Sequence, residues 1–350
     1  MTTPPTPLSP GSPATHLPDR ATVMHVTHPG GPDVLAPATV PLKRPGPGEV
    51  LMATRAIGVN HLDLYYRDGT LPLEGGGVDI PGLASVGEVL AIGPGVDRFA
   101  PGDRIAHAGP PLGAYATHRV LPVGRVVRFP HMIPWEVGAA ALFPGIAVHM
   151  MIYGLGLRLD GRVVLVRGAG GGVGLILVRW AAAMGARVIA SVASRGKAEA
   201  VQEAGAERVV VGTGAAALAD AGRAAAELTG GAGVHIVFDG LGGPDFAKLA
   251  ALVRPFGRIV SFGQVAGPIP PVDVGVLGPM RALGLDRPGV FAYIADRERL
   301  REATSALFTA LVEGLLSPTV AGVLPLSRAG DAHARLEARS VTGSLVLIPD

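Results

Sequence analysis

From Ala21 to about Ala147 the apolar residues come in short runs broken by Pro and Gly: ATVMHV, then VLAPATV, then VLMATRAIGV after Pro45-Gly46-Pro47-Gly48-Glu49. Runs of this length between turn residues predict strands. Val50, Met52, Thr54 and Ala56 alternate with Leu51, Ala53, Arg55 and Ile57, the period of a half-exposed strand. Gly87 to His107 predicts a hairpin-like pair of strands, with tight turns at Gly95 and at Pro101-Gly102-Asp103-Arg104. A polar and aromatic segment, Asn60-His61-Leu62-Asp63-Leu64-Tyr65-Tyr66-Arg67-Asp68-Gly69, interrupts the strands and predicts a short helix or turn ending at Gly69. Val137 to Leu157 is uncharged and imitates a membrane span, but Pro144-Gly145 and His149 predict two short buried elements meeting at a break.

After Arg162 the texture changes to strand and helix in alternation. RVVLV, RVIASV, RVVV, HIVFD and GRIVSFG are strand-like, and helical stretches lie between them, among them an alanine-rich one at about 215–228 and another near Phe246 to Leu252. This alternation predicts an α/β fold, a doubly wound parallel sheet of five or six strands with crossovers. An amphipathic helix over Arg297 to Gly314 and a closing strand, GSLVLIP, follow; the strand can rejoin the N-terminal β-region and would make that region discontinuous. The expected division is a disordered tail over 1–20, a β-rich domain over 21–145 and 285–350, and a doubly wound domain over 146–284.

The chemistry is concentrated at Arg162 to Met184. The strand Val163-Val164-Leu165-Val166 runs into Gly168-Ala169-Gly170-Gly171-Gly172-Val173-Gly174 and then into a helix without further Gly or Pro until Gly185. Strand, glycine turn and helix expose free N–H groups and a positive dipole end beside a gap that no side chain fills, which suits a pyrophosphate. The spacing is Ala169-x-Gly171-x-x-Gly174, an alanine-first form of the dinucleotide fingerprint. The tip of the second strand, Ser191 to Lys197, has no acid to accept ribose hydroxyls; Ser191, Ser194, Arg195 and Lys197 suit a 2′-phosphate, which selects NADPH over NADH. Lys197 is one of three lysines in the chain, with Lys43 and Lys248.

Composition narrows this picture. A length of 350 residues allows two domains, and 48% hydrophobic with 17% charged residues suits a buried sheet. A net charge of +2 gives no argument for a nucleic-acid partner. The absence of cysteine removes thiolate chemistry and every sulfur-ligated zinc site; His25 and His28 are three apart in a strand-to-turn segment, and no metal is expected. The Pro, Ser and Thr-rich start has no apolar core of a signal peptide, so the expected compartment is the cytoplasm, without a membrane partner.

In order along the chain, GVNHLDLYYRDG, GVDRFAPGDRI, LGAYATH, GAGGGVG, ASVASRGKAEA, AGAERVV, VFDGLGG, GRIVSFGQ and RSVTGSLVLIP resemble the zinc-free quinone oxidoreductase (ζ-crystallin-like) branch of the medium-chain dehydrogenase/reductase superfamily. The resemblance runs from about residue 22 to the C-terminus. It implies a GroES-like β-domain against a Rossmann domain, NADPH as cofactor, hydride transfer to quinones, enones or enoyl thioesters, and a homodimer through the edge strand after Gly263. Asn60 would lie beside the nicotinamide and Tyr65 would point into the substrate cleft as proton donor, with Asp63 orienting its neighbours. Ala169, Gly171, Gly172, Val173 and Gly174 would form the turn; Ser194, Arg195 and Lys197 would take the 2′-phosphate; Leu241, Phe262 and Gly263 would line the nicotinamide side and Arg339 would close over it. The chain departs from the family pattern at Ala84, Pro144, Ala147 and Gly212. Those departures keep open a pathway-specific enoyl reductase, a non-redox cyclase on the same fold, and a non-catalytic NADPH-binding protein.

Overall fold

The computed structural model describes residues 17–73 and 78–350. The expected tail therefore lies outside the described residues, apart from Leu17 to Arg20, and the last of these already opens a strand. Among the described residues seven strands precede the long central helix: β1 (Arg20–Val26), β2 (Leu35–Pro41), β3 (Glu49–Val59), β4 (Ala84–Ile92), β5 (Arg104–Ala108), β6 (His118–Pro122) and β7 (Val126–Arg128). Six follow the glycine-rich part of the chain: β8 (Val163–Arg167), β9 (Arg187–Val192), β10 (Ala206–Val211), β11 (Val234–Asp239), β12 (Val253–Ser261) and β13 (Gly284–Asp286). The chain ends with β14 (Val320–Pro325) and β15 (Ser344–Ile348).

Strands β8 to β13 form one parallel sheet in the order β10-β9-β8-β11-β12-β13. The order reverses between β8 and β11, and a crevice opens at such a switch point beyond the carboxyl ends of the strands. The expected boundary near residue 284 falls inside β13, which still pairs with β12. The apolar run of β8 is buried on both faces, as its composition predicts: Val164 and Val166 join the core on one side, Val163 and Leu165 the core on the other. In the second sheet β15 pairs antiparallel with β3, so the C-terminal strand does return to the N-terminal β-region.

The helices are α1 (His61–Arg67), α2 (Trp135–His149), α3 (Gly172–Ala183), α4 (Ala198–Glu203), α5 (Gly214–Thr229), α6 (Val290–Ala295), α7 (Arg297–Val312) and α8 (Ala329–Glu337). Residues Phe246–Leu252 form a 3-10 turn.

The break expected at Pro144-Gly145 is absent. Helix α2 passes through Pro144 and continues as a single π-turn over Met150–Gly154. Pro144 lacks the N–H that would bond the Ala140 carbonyl, but burial holds the helix together. A Cβ on Gly145 would lie 2.5 Å from Leu307 of α7, and one on Gly138 2.3 Å from the Phe129 ring, so small residues let α2 sit deep in the core. Trp135–Gly154 is apolar and long enough to cross a membrane, yet 78% of its 18-residue apolar window is buried inside the protein, as a core helix would be.

Candidate active site

A cleft of about 620 Å³ opens beyond the carboxyl ends of β8 and β11. Gly168, Gly170, Gly171, Gly172, Val173 and Gly174 form one wall. Gly168 adopts φ +77, a left-handed conformation that turns β8 out of the sheet. Gly171 is the N-cap of α3 in extended conformation; no side chain caps it and no acid lies in the first turn, so the first N–H groups of α3 are left to the cleft. A Cβ on Gly171 would find no atom but the Gly168 carbonyl oxygen, 3.8 Å away; one on Gly174 would lie 2.4 Å from that same oxygen. Gly171 therefore keeps the cradle open, and Gly174 lets the helix close onto the turn. Ala169, expected as a contact, is wholly buried beneath the turn, where its N–H donates to the Ser191 carbonyl at 3.1 Å and ties the turn to β9.

Of the three residues expected at a 2′-phosphate, Lys197 alone lines the cleft. A 3-10 turn over Arg195–Lys197 brings the lysine stem over Gly170, whereas Ser194 and Arg195 stand exposed outside the lining. Ser191, Val192, Ala193, Gly212, Thr213 and Gly214 complete this end. Lys197 Nζ donates to the carbonyls of Arg339 (2.8 Å) and Val341 (2.7 Å), and the Arg339 guanidinium donates to the Val265 carbonyl at 2.5 Å. These bonds cross the cleft in both directions, and the Gly343 N–H adds one to the Gly170 carbonyl at 3.0 Å. Neither cation has a carboxylate partner among the described residues. Burial, then Arg339, lowers the Lys197 pKa. A wall with unpaired cations and free helix N–H groups attracts an anion.

The opposite wall is α1 with its N-cap: Asn60, His61, Leu62, Tyr65 and Tyr66 all line the cleft. The Asn60 amide donates to the Gly58 carbonyl at 3.0 Å, which fixes its orientation. Asp63 does not line the cleft. Wholly buried at the third position of α1, its carboxylate accepts the Asn60 backbone N–H at 2.8 Å and approaches the Tyr115 hydroxyl at 3.5 Å. Tyr115 is 2.8 Å from His333 Nε2, and Arg67 joins His333 to Glu337. This buried network mounts α1 on α8. Burial pushes the Asp63 pKa up to about 7 against the bonds that favour its charge, and pushes that of His333 down to about 3, with Arg67 and His61 adding to it. Tyr65 has no hydrogen-bond partner for its hydroxyl among the described residues, and burial, then Asp68, raises its pKa above the usual phenol range.

At the floor, Arg167 at the end of β8 pairs with buried Asp239 at the end of β11 at 2.7 Å, and Asp239 accepts the Gly242 N–H at 2.8 Å. This ion pair spans the switch point and shapes the loop that carries Leu241. Leu241, Phe262 and Gly263 line the cleft, with Phe262 and Gly263 close against Gly240. Pro144 and Ala147 also line it, whereas Ala84 is buried in β4 away from it. Residues that sequence reasoning did not single out are His61, Arg167 and Thr213. The strand-end position of Arg167 was a usable signal; the cleft-facing position of His61 was not readable from one short helix.

Residues 46–131 match the family described as "Alcohol dehydrogenase GroES-like domain", and residues 172–306 that described as "Zinc-binding dehydrogenase". The zinc in the second description finds no ligand set here: the chain has no cysteine, and no group of three His, Asp or Glu residues suited to a metal occurs among the described residues. The chain is 35% identical to the quinone oxidoreductase of Pseudomonas aeruginosa over 91% of its length and 97% of that protein's. It is 33% identical to a 2-haloacrylate reductase of a Burkholderia species, over 91% and 96%. The fold superposes with a TM-score of 0.87 on a mycobacterial protein solved in complex with NADPH, at 36% identity, covering 94% of this chain and all of that one.

Proposed function

The chain belongs to the quinone oxidoreductase branch of the medium-chain dehydrogenase/reductase superfamily, and on that premise we propose that it is an NADPH-dependent oxidoreductase of quinones and other α,β-unsaturated carbonyl compounds. The observation that carries this reading is the cleft itself, in which a bare helix N-terminus faces Lys197 and Arg339, two cations without carboxylate partners. NADPH would be held by the turn Gly170–Gly174 through its pyrophosphate and by Lys197 through its 2′-phosphate, with Asn60, Leu241, Phe262 and Gly263 on the nicotinamide side. In this reading the dinucleotide domain is residues 146–284, and the catalytic domain is residues 21–145 and 285–350.

When bound, NADPH supplies a hydride for the β-carbon of the acceptor. Negative charge then develops on the acceptor oxygen and must be met by a donor in a site that excludes water. The Tyr65 hydroxyl has no partner among the described residues, and its raised pKa keeps it protonated at neutral pH, so it can donate to that oxygen. Asp63 acts one step back, by holding the Asn60 N–H and with it the start of α1. The substrates for which the relatives are named, a quinone and a 2-haloacrylate, share an activated double bond conjugated to an oxygen-bearing carbon, which supports this acceptor class.

We also propose a homodimer through the edge strand after Gly263: β13 leaves one edge of the parallel sheet unpaired, and Met280 and Phe256 nearby are 90% and 85% exposed. The test of function is NADPH oxidation with a panel of quinones, enones and 2-haloacrylates, beside a direct NADPH titration. Binding without turnover on any acceptor would sink the substrate reading. Absence of binding would sink the cofactor reading.

A further inference from the structure

A second cavity, of about 920 Å³, lies apart from the cleft at the ends of β8 and β11 and shares no lining residue with it. One wall is α7, where Arg297, Leu300, Thr304, Phe308 and Val312 follow one another at the spacing of a single helix face. At 1.5 Å per residue that face is about 22 Å long, so the cavity is an elongated groove. The facing wall is Arg98 and Phe99 before β5, Gly124 between β6 and β7, Arg128 at the end of β7 and Pro130 after it.

The two ends of the groove differ in chemistry. At the start of α7 guanidinium groups converge. Arg297 stands over Gly124, where a Cβ would lie 3.7 Å from the guanidinium carbon, and it makes no hydrogen bond or ion pair with any described residue. Arg98 and Arg128 lie over the Phe99 ring, 5.1 and 5.2 Å from its centroid. Arg128 is paired with Asp103 at 3.0 Å, whereas Arg98 donates to the carbonyls of Val123 and Val126. Arg301, one turn on from Arg297, reaches Glu298 only at 3.7 Å. Burial, then Arg297, lowers the Arg98 pKa; Asp97 opposes this and Arg128 adds to it. Arg297 also sits in the first turn of α7, at the positive end of the helix dipole, and the N-cap carboxylate of Asp296 is committed to the Glu298 N–H at 2.8 Å and to Arg299.

The far end is apolar. Phe308 and Val312 line it with Pro130, which follows Phe129, a ring 5.5 Å from that of Phe308. Four arginines and two glutamates line the groove, an excess of two cations, and of the two acids Glu298 lies among the arginines and Glu313 at the apolar end. Crowded guanidinium groups at one end and an apolar strip beyond them complement a ligand of the opposite layout. We propose that this groove binds an amphiphilic anion, a single apolar chain with a phosphate or carboxylate head, with the head among Arg98, Arg297 and Arg301 and the chain along Leu300, Phe308 and Val312. Glu313 repels the head from the far end and so sets the direction of the chain. NADPH and its cleft take no part in this binding, so the two readings stand or fall separately.

The experiment is calorimetric titration of the full-length protein, with and without NADPH, using dodecyl phosphate, dodecanoate, dodecanol and inorganic phosphate, each below any micelle concentration, for wild type, Arg297→Met and Thr309→Trp. Thr309 is exposed on the lining of the groove, and an indole there would fill the chain end. At least one of the two chain anions should bind at one per chain, and dodecanol and inorganic phosphate each about tenfold or more weaker; the tighter of the two anions identifies the head. Arg297→Met should weaken the anion about tenfold or more through the lost charge-assisted bond, added salt should weaken the wild-type complex, and Thr309→Trp should weaken it by a similar factor, while NADPH affinity and turnover stay at wild-type values in both variants. No saturable binding of either chain anion, equal affinity for dodecanol, equal affinity in wild type and a folded variant, or displacement of the anion by NADPH would each overturn the proposal. If Thr309→Trp instead shifts sedimentation from dimer to monomer, a second copy of the chain covers the groove and the proposal also falls. Should one variant misfold, the other and the comparison of probes on wild type still decide.

Discussion

Gly171 and Gly174 belong to one turn, and replacing each by alanine should have different consequences, for cofactor binding in the first case and for stability in the second. At Gly174 the new Cβ would sit 2.4 Å from the Gly168 oxygen, 2.6 Å from Ala169 Cα and 2.7 Å from Ala169 C, all backbone atoms of a buried turn. Ordinary contact begins at 3.4 Å, so helix and turn must part by about an ångström. Overpacking of this kind costs about 1–3 kcal/mol, and the better helix propensity of alanine returns up to about 1 kcal/mol. The net expectation for Gly174→Ala is a loss of roughly 1–2 kcal/mol and a lower melting temperature in the absence of cofactor. At Gly171 the nearest atom is 3.8 Å away and the backbone, φ −87 and ψ 175, is one that alanine adopts freely. Gly171→Ala gains about 0.4–1 kcal/mol through its less flexible unfolded chain and loses a comparable amount because an N-cap prefers glycine to alanine, so its stability should stay within about 1 kcal/mol of wild type. Its methyl would stand in the cradle, however, and NADPH affinity should fall at least about tenfold, or ~1.4 kcal/mol. Thermal melts without cofactor and fluorescence titrations with NADPH measure the two effects separately. A Gly171→Ala protein that binds NADPH as tightly as wild type would refute the assignment of this turn as the phosphate cradle, and one destabilised by more than about 2 kcal/mol would refute the reading of open space around it.

Tyr65→Phe should lower turnover about a hundredfold, at the lower end of what a positioned acid contributes, while NADPH affinity changes less than about twofold; equal losses in both would make Tyr65 a binding residue. Lys197→Met removes a charge-assisted donor and should weaken NADPH about tenfold or more with little change for NADH, read as the ratio of the two Kd values. Asp63 has a folded pKa of about 7 against a usual 3.8, so the folded state binds the extra proton and this group makes stability fall as pH rises from about 4 to about 7. His61 and His333, with pKa values of about 4 and 3, give the opposite slope below 6.5. The stability difference between wild type and Asp63→Asn, from denaturant melts across pH 4–8, cancels the histidines, which both proteins share, and should itself fall as pH rises from about 4 to about 7. Met280→Lys on the exposed strip beside β13 should shift sedimentation at micromolar concentration from dimer to monomer, and a monomeric wild type would remove that proposal.

What could be read from the sequence was whatever a local pattern fixes. A β-branched run before a glycine turn and a helix has one low-energy arrangement, because only glycine fits both the left-handed corner at Gly168 and the close approach at Gly174. The alternation of strands and helices after Arg162 leads to a parallel sheet, since each crossover must return over its face, and the motif order from residue 22 onward carried the family. Pro144 was misread because a proline's lost hydrogen bond is a local cost, whereas its compensation comes from partners far along the chain, among them Leu307 of α7. Asp63, Ser194 and Arg195 lie in segments that border the cleft, but a one-residue rotation on a short helix or 3-10 turn separates a cleft contact from a buried brace or an exposed side chain. That His61, Lys197 and Arg339, well over a hundred residues apart at their extremes, line one cleft was decided by tertiary structure alone. Charge crowding depends on distance through space, and no local pattern along this chain records it.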